Sequence, residues 1–193
     1  MMINSLNNLS LTDIGIKYGT DKATYHNFTE FYEEYFNHIR DKIESVLEIG
    51  IYTGSSLRMW KEYFFNAQIY GIDIDKNRLF KEDRIETYES SQIDFNRIYD
   101  IFNGKTIDII IDDGSHIMSH QIKSFFYLRN FLKSGGFYII EDLHTSYMYE
   151  FIDTKITTLD FLNNINKNQY NIDYIKIFRN PRKESITSII KFK

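Results

Sequence analysis

The chain has no cysteine, a single proline and only nine glycines among 193 residues. Disulfides, thiolate nucleophiles and Cys-ligated zinc or iron–sulfur centres are therefore excluded, and any metal must use oxygen or imidazole ligands. The same absence fits a reducing compartment. No apolar run approaches the roughly 18 residues a membrane span needs, and the opening MMINSLNNLSLTDIG lacks the basic-then-apolar order of a secretory signal. A soluble, cytoplasmic protein with no membrane partner is expected. The net charge of −4 gives no general attraction to nucleic acid, and the locally basic Lys176, Arg179, Arg182 and Lys183 read as the solvated face of a hairpin.

What the chain does have is apolar (42%) and aromatic (17%) material sufficient for one sizeable core. We expect one domain over residues 1–193, with 1–44 a helical lid region and 45–193 a Rossmann core. Short β-rich runs at Ser45–Ile49, Gln68–Ile74, Arg84–Tyr88, Ile107–Ile111 and Gly136–Ile140 alternate with amphipathic stretches, the pattern of a parallel sheet covered by helices. Helices are expected over Phe28–Arg40, over Gly54–Phe64 with Ser55 or Ser56 as cap, over His120–Leu132 with Ser134-Gly135-Gly136 as its stop, and over Phe151–Asn168. Ile172–Phe178 and Ile186–Phe192, joined through Pro181, read as an antiparallel hairpin. The fold class is thus α/β, doubly wound and Rossmann-like, with a mostly parallel seven-stranded sheet ending in that hairpin.

Val46-Leu47-Glu48-Ile49-Gly50-Ile51-Tyr52-Thr53-Gly54 runs from a strand through a glycine turn into a helix, where a Rossmann domain holds its nucleotide. Gly50 allows close approach of backbone to ligand, and Gly54 allows tight packing of the helix start. A plain strand-to-helix turn explains these residues equally well. Asp73, 25 residues beyond Glu48 at the end of the next strand, favours the nucleotide reading, because a carboxylate there can accept both ribose hydroxyls. Asp75, two residues on, could instead only cap a turn. So glycine-poor a turn speaks against the pyrophosphate of a dinucleotide and for a cofactor without phosphate, such as S-adenosylmethionine. In Ser90-Ser91-Gln92-Ile93-Asp94, Gln92 could read an adenine edge, and the serines could equally cap the following helix.

Two acidic strand ends follow, Asp112-Asp113-Gly114-Ser115-His116 and Glu141-Asp142-Leu143-His144. Neighbouring strand ends in an open α/β sheet meet in one crevice, so four carboxylates converge. Their repulsion calls for protons, cationic partners or a metal. With no lysine or arginine inside either motif, a divalent cation such as Mg2+ is the natural partner, and His116 could take a proton from a substrate hydroxyl. Capping by Asp113 and Ser115, with His116 an ordinary helix-start residue, is the competing reading.

Taken together, LEIGIYTGSSLRMW, YGIDID, SSQID, IIIDDGSH, GGFYIIEDLHTSY and the earlier YGTDK resemble the macrolide sugar O-methyltransferases of the macrocin and mycinamicin type, from about Gly15 to Tyr147. Similar domains are associated with polysaccharide and capsule gene clusters. The resemblance implies S-adenosylmethionine and magnesium as cofactors, metal ligands at Asp113, Glu141 and Asp142, and catalysis by His116 with Asp113. It implies cofactor contacts from Thr20 and Lys22, from Glu48, Gly50, Ile51, Gly54 and Ser55, from Asp73 and Ile74, from Ser91, Gln92 and Asp94, and from Asp112. The expected partner is a sugar-like hydroxylated small molecule, of a capsule or a natural product, and self-association into a homo-oligomer stays open. Only about 40 residues precede the first strand, whereas the macrolide enzymes carry a substantial extra N-terminal region, so a bulky macrolide is not the default acceptor. A noncatalytic partner subunit that binds the same cofactor is the alternative from another class.

Overall fold

The computed structural model describes residues 9–193. The first eight, part of the opening stretch and of the region expected to be helical, lie outside the described residues. Seven α-helices are described: α1 Leu11–Tyr18, α2 Asp21–Thr24, α3 Phe28–Phe36, α4 Ser55–Tyr63, α5 Phe95–Phe102, α6 Met118–Leu128 and α7 Thr158–Asn164. They surround strands β1 Ser45–Ile49, β2 Gln68–Asp73, β3 Lys81–Glu82, β4 Ile85–Glu89, β5 Ile107–Asp112, β6 Leu132–Ile140, β7 Ile172–Arg179 and β8 Ile186–Phe192.

One sheet holds all eight described strands in the order β3-β4-β2-β1-β5-β6-β8-β7. β4, β2, β1, β5 and β6 run parallel, whereas β3, β8 and β7 pair antiparallel to their neighbours. Seven strands were expected; the additional one is Lys81–Glu82, two residues with no hydrophobic pattern to announce them. Strand residues alternate between two helical layers, as the two-residue period of a strand requires. Val46, Ile109, Ile111, Phe137 and Ile139 face Leu11, Ile14, Phe28, Tyr32, Phe36 and Trp60 of α1, α3 and α4. Leu47, Ile49, Ile110, Tyr138 and Ile140 face Ile98, Phe102, Phe125, Leu128 and Leu159 of α5, α6 and α7. Burial on both faces explains why β5 and the second half of β6 are almost uninterrupted apolar runs.

Several local expectations are corrected. α4 is capped by the Gly54 backbone at φ 75°, and neither Ser55 nor Ser56 caps it. α6 ends at Leu128, and Ser134-Gly135-Gly136 lies inside β6 and stops no helix. α5 is capped by the Asp94 carboxylate, which accepts from Arg97 N at 3.1 Å, so Ser90 and Ser91 are free of that duty. The helix expected over Phe151–Asn168 is only α7, because Thr157 and Asp160 form a capping box that starts it late. Ahead of it, Asp153 is held by Ser119, whose backbone N and Oγ donate at 2.9 and 2.6 Å.

Candidate active site

Sheet order reverses between β1 and β5, and in an open α/β sheet the crevice at such a reversal holds the ligand. Gly50 sits at this point with φ 89°, donating to Ile72 O at 2.9 Å. A side chain there would collide with the backbone carbonyl of Asp113, so the turn requires glycine. Asp73 pins the turn from β2. Its Oδ2 accepts from Ile51 N at 2.8 Å and its Oδ1 from Asp75 N at 2.8 Å, while Asp75 caps the next turn by accepting from Asn77 N. Oδ2 also accepts from Tyr52 N at 3.4 Å, so Oδ1 is the Asp73 oxygen with a lone pair left for a ligand hydroxyl.

A cavity of about 670 Å3 opens over this turn, lined by Thr20, Lys22, Gly50, Ile51, Ser55, Asp73, Asp113, His116 and Asp142, among others. A smaller one, of about 200 Å3, continues past Gly50, Asp73 and Ile74 to Ser91, Gln92 and His120. Glu48, Asp112 and Glu141 lie beneath the crevice, fully or almost fully buried, and Gly54 and Asp94 hold helix starts. Gln92 has a structural bond at each end: Nε2 donates to Asp112 Oδ1 at 3.1 Å, and Oε1 accepts from Ser115 N at 2.7 Å. Burial pushes the Asp112 carboxyl up to about 6, despite the Ser124 hydroxyl bonded to it at 2.5 Å.

The acidic strand ends do meet a cation of the protein's own. Lys22, only 1% exposed, ion-pairs with Glu48 at 3.1 Å, with Glu141 at 2.7 Å and with Asp113. Neither motif holds a lysine or arginine, as the sequence reads; the partner comes from α2, 91 residues before Asp113. Burial opposes the Lys22 charge, but Asp113, Glu141 and Glu48 outweigh it and hold the ammonium well above its ordinary value. One ammonium cannot neutralise three carboxylates. Burial raises Glu48 to about 7, and burial with repulsion from Asp113 and Glu48 holds Glu141 well above its ordinary value, against the pull of Lys22. Tyr32, which the sequence did not single out, completes this buried group by donating to Glu141 Oε1 at 2.9 Å.

Above it, Asp113, His116 and Asp142 each offer a ligand atom within 4.8 Å of the others. His116 Nε2 lies 3.7 Å from Asp142 Oδ2, and Asp142 Oδ1 and His116 Nδ1 are buried without a hydrogen-bond partner among the described residues. Two further imidazoles face Asp142 Oδ1, His144 at 3.8 Å and His26 at 3.9 Å. Burial, against the pull of Asp142 and with the help of His26 and His116, lowers the His144 pKa. His26, which the sequence did not single out, lies four residues after Lys22 and beyond the end of α2. Thus the structure gathers Asp113, His116 and Asp142 at the cavity wall and turns Glu141 toward Lys22.

No protein-family profile matches the chain. It is 36% identical over 176 residues to the 8-demethyl-8-alpha-L-rhamnosyl tetracenomycin-C 2'-O-methyltransferase of Streptomyces olivaceus, covering 85% of this chain and 47% of that protein. To the demethylmacrocin O-methyltransferase of Streptomyces fradiae it is 39% identical over 146 residues, covering 71% and 37%. The solved structure of the mycinamycin-pathway methyltransferase MycE in complex with Mg, SAH and mycinamycin VI superposes at a TM-score of 0.82 and 32% identity, over 96% of this chain and 55% of that one. The chain therefore spans about half or less of the length of these relatives.

Proposed function

We propose that this homologue of the macrocin- and mycinamicin-type sugar O-methyltransferases transfers a methyl group from S-adenosylmethionine to a sugar hydroxyl of a natural product, with a divalent cation at the acidic cluster. The relatives act on glycosides of natural products, so a capsule acceptor is not carried forward. The observation that carries the reading is the cavity continuous from the glycine turn and Asp73 to Asp113, His116 and Asp142.

The residues present fit both groups. For the cofactor, Gly50 lines the cavity at the turn, Asp73 Oδ1 keeps a lone pair for ribose, and the arm past Gln92 suits a flat base. S-adenosylmethionine, when bound, supplies an electrophilic methyl on a positively charged sulfur. For the cation, Asp113 and Asp142 bring oxygen ligands together at the cavity wall, one of them a buried unpartnered oxygen, and Glu141 is the third carboxylate of the set, bound here to Lys22. A divalent cation, when bound there, polarises the acceptor hydroxyl.

The chain's own residues then do the rest. His116 Nε2 would take the hydroxyl proton as the acceptor oxygen bonds to the methyl carbon and the methyl–sulfur bond breaks, its electron pair staying on sulfur to leave S-adenosylhomocysteine, and Asp142 Oδ2 would steady the imidazolium so formed. Lys22 keeps Asp113 in place beneath the reaction. The test is calorimetry with S-adenosylhomocysteine and NAD, followed by methyl transfer to a rhamnoside before and after EDTA treatment. Preference for NAD, or transfer that EDTA leaves untouched, would reject the reading.

A further inference from the structure

The resemblance places Glu141 among the metal ligands, yet both of its carboxylate oxygens face inward. Oε2 lies 2.7 Å from Lys22 Nζ, and Oε1 accepts from the Tyr32 hydroxyl at 2.9 Å. The ligand atoms that converge at the cavity wall belong to Asp113, His116 and Asp142, and Glu141 is not among them. A hard divalent cation such as Mg2+ favours oxygen ligands, and this set offers two carboxylates beside an imidazole. The further carboxylate that would complete an oxygen-rich set is the one that Lys22 and Tyr32 hold.

Lys22 is built to give that carboxylate up. Although only 1% exposed, it lines the large cavity, reaching it from α2. Its ammonium is shared among Glu48 at 3.1 Å, Glu141 at 2.7 Å and Asp113. With three anionic partners it can release one and stay paired with the other two, so no charge of its own is stranded. The place it would turn to is also visible. Glu48 Oε1 lies within ion-pair distance of Nζ but has no hydrogen-bond partner among the described residues, an unmet buried acceptor beside the ammonium. Glu141, once released, needs another positive partner, because a buried carboxylate without one is costly.

We infer that Lys22 is an exchangeable internal counter-ion: it holds Glu141 inward and yields it, turning to Glu48, when a divalent cation binds at Asp113 and Asp142. The inference rests on the cation of the methyl-transfer reading. Lys22 is then a positioning residue that sets the affinity for the cation by competing with it for Glu141. The chain carries its own reporter of the exchange. Trp60, the only tryptophan, is fully buried; its Nε1 donates to Glu48 Oε2 at 3.1 Å, and its ring lies 6.1 Å from that of Tyr32. Release of Glu141 alters the hydrogen bonding of Tyr32 and the charge at Glu48, on two sides of the same indole.

The test measures Mn2+ binding by electron paramagnetic resonance for the parent, Lys22→Gln and Tyr32→Phe, with thermal melting to show that each is folded. Trp60 emission is followed as Mg2+ is added to the parent. Lys22→Gln should bind Mn2+ about tenfold more tightly, since a competitor for Glu141 is gone. Tyr32→Phe loosens the inward hold but keeps the ion pairs, and should tighten Mn2+ severalfold. Trp60 emission should change and level off over the Mg2+ range that displaces Mn2+. A lysine that only steadied Asp113 would give the opposite sign, its loss weakening the cation. Equal or weaker Mn2+ binding by the folded variants, or Trp60 emission unmoved while Mg2+ displaces Mn2+, would overturn the inference and leave the methyl-transfer reading standing. Absence of Mn2+ binding by parent and variants alike would reject both. Should Lys22→Gln fail to fold, Tyr32→Phe and the Trp60 signal of the parent decide.

Discussion

Lys22 Nζ lies 2.7 Å from Glu141 Oε2, both side chains almost wholly buried, joining the N-terminal helices to the end of β6 across 119 residues of chain. Breaking such a pair strands its partners. Lys22→Met should cost about 3–5 kcal/mol in urea denaturation at pH 8, because Glu48, Asp113 and Glu141 lose their only close cation among the described residues. Lowering the pH should shrink the loss, since protonated carboxylates no longer need the lysine. A loss under about 1 kcal/mol would mean the ammonium is not an essential counter-ion.

Asp112 makes its own contribution to pH dependence. Burial raises its folded pKa to about 6 from an ordinary 3.8, so between those values the folded chain binds more protons than the unfolded one. Stability contributed by this group is therefore present at low pH and lost as pH rises from about 4 through 6. The difference, roughly two pKa units, amounts to about 3 kcal/mol. Asp112→Asn cannot ionise, so relative to the parent it should gain stability across that window; parallel pH profiles of parent and variant would refute this.

Gly50→Ala forces a side chain onto the Asp113 carbonyl and a left-handed backbone on alanine. We expect a stability loss of about 1–3 kcal/mol and at least a tenfold weakening of S-adenosylhomocysteine, read by thermal shift and calorimetry. Unchanged affinity would remove the glycine turn from the cofactor site.

Asp142→Asn keeps the shape of the side chain and removes a charge from the set with Asp113 and His116. Binding of Mn2+, followed by electron paramagnetic resonance in place of Mg2+, should fall at least tenfold, with little change in S-adenosylhomocysteine affinity. Equal Mn2+ binding would place the cation elsewhere.

The sheet was legible because β1, β5 and the end of β6 are buried on both faces and carry continuous apolar runs. The position of the crevice followed from where those runs end in glycine or a carboxylate. β3 escaped because two exposed-to-half-buried residues have no period to detect. The late start of α7 was written in Thr157 and Asp160, a capping pair within a stretch that otherwise looks helical. Lys22 was harder. Its motif resembled the family's, yet nothing local says that an isolated lysine in a polar segment is buried; only the folding of α2 onto the strand ends does. For the same reason sequence could gather the carboxylates but not show that Glu141 turns inward while Asp113, His116 and Asp142 line the cavity.

His116 and Asp142 stand at φ 59° and 52°, where glycine would rest at lower cost. Holding each there forgoes something like 1 kcal/mol or more. Stability and the proposed chemistry are thus opposed at the same two positions: Asp142→Gly should melt at a higher temperature than the parent and bind divalent cations less tightly. Selection of this chain for heat resistance alone would be expected to erode these residues first, long before it touched the packing of the sheet.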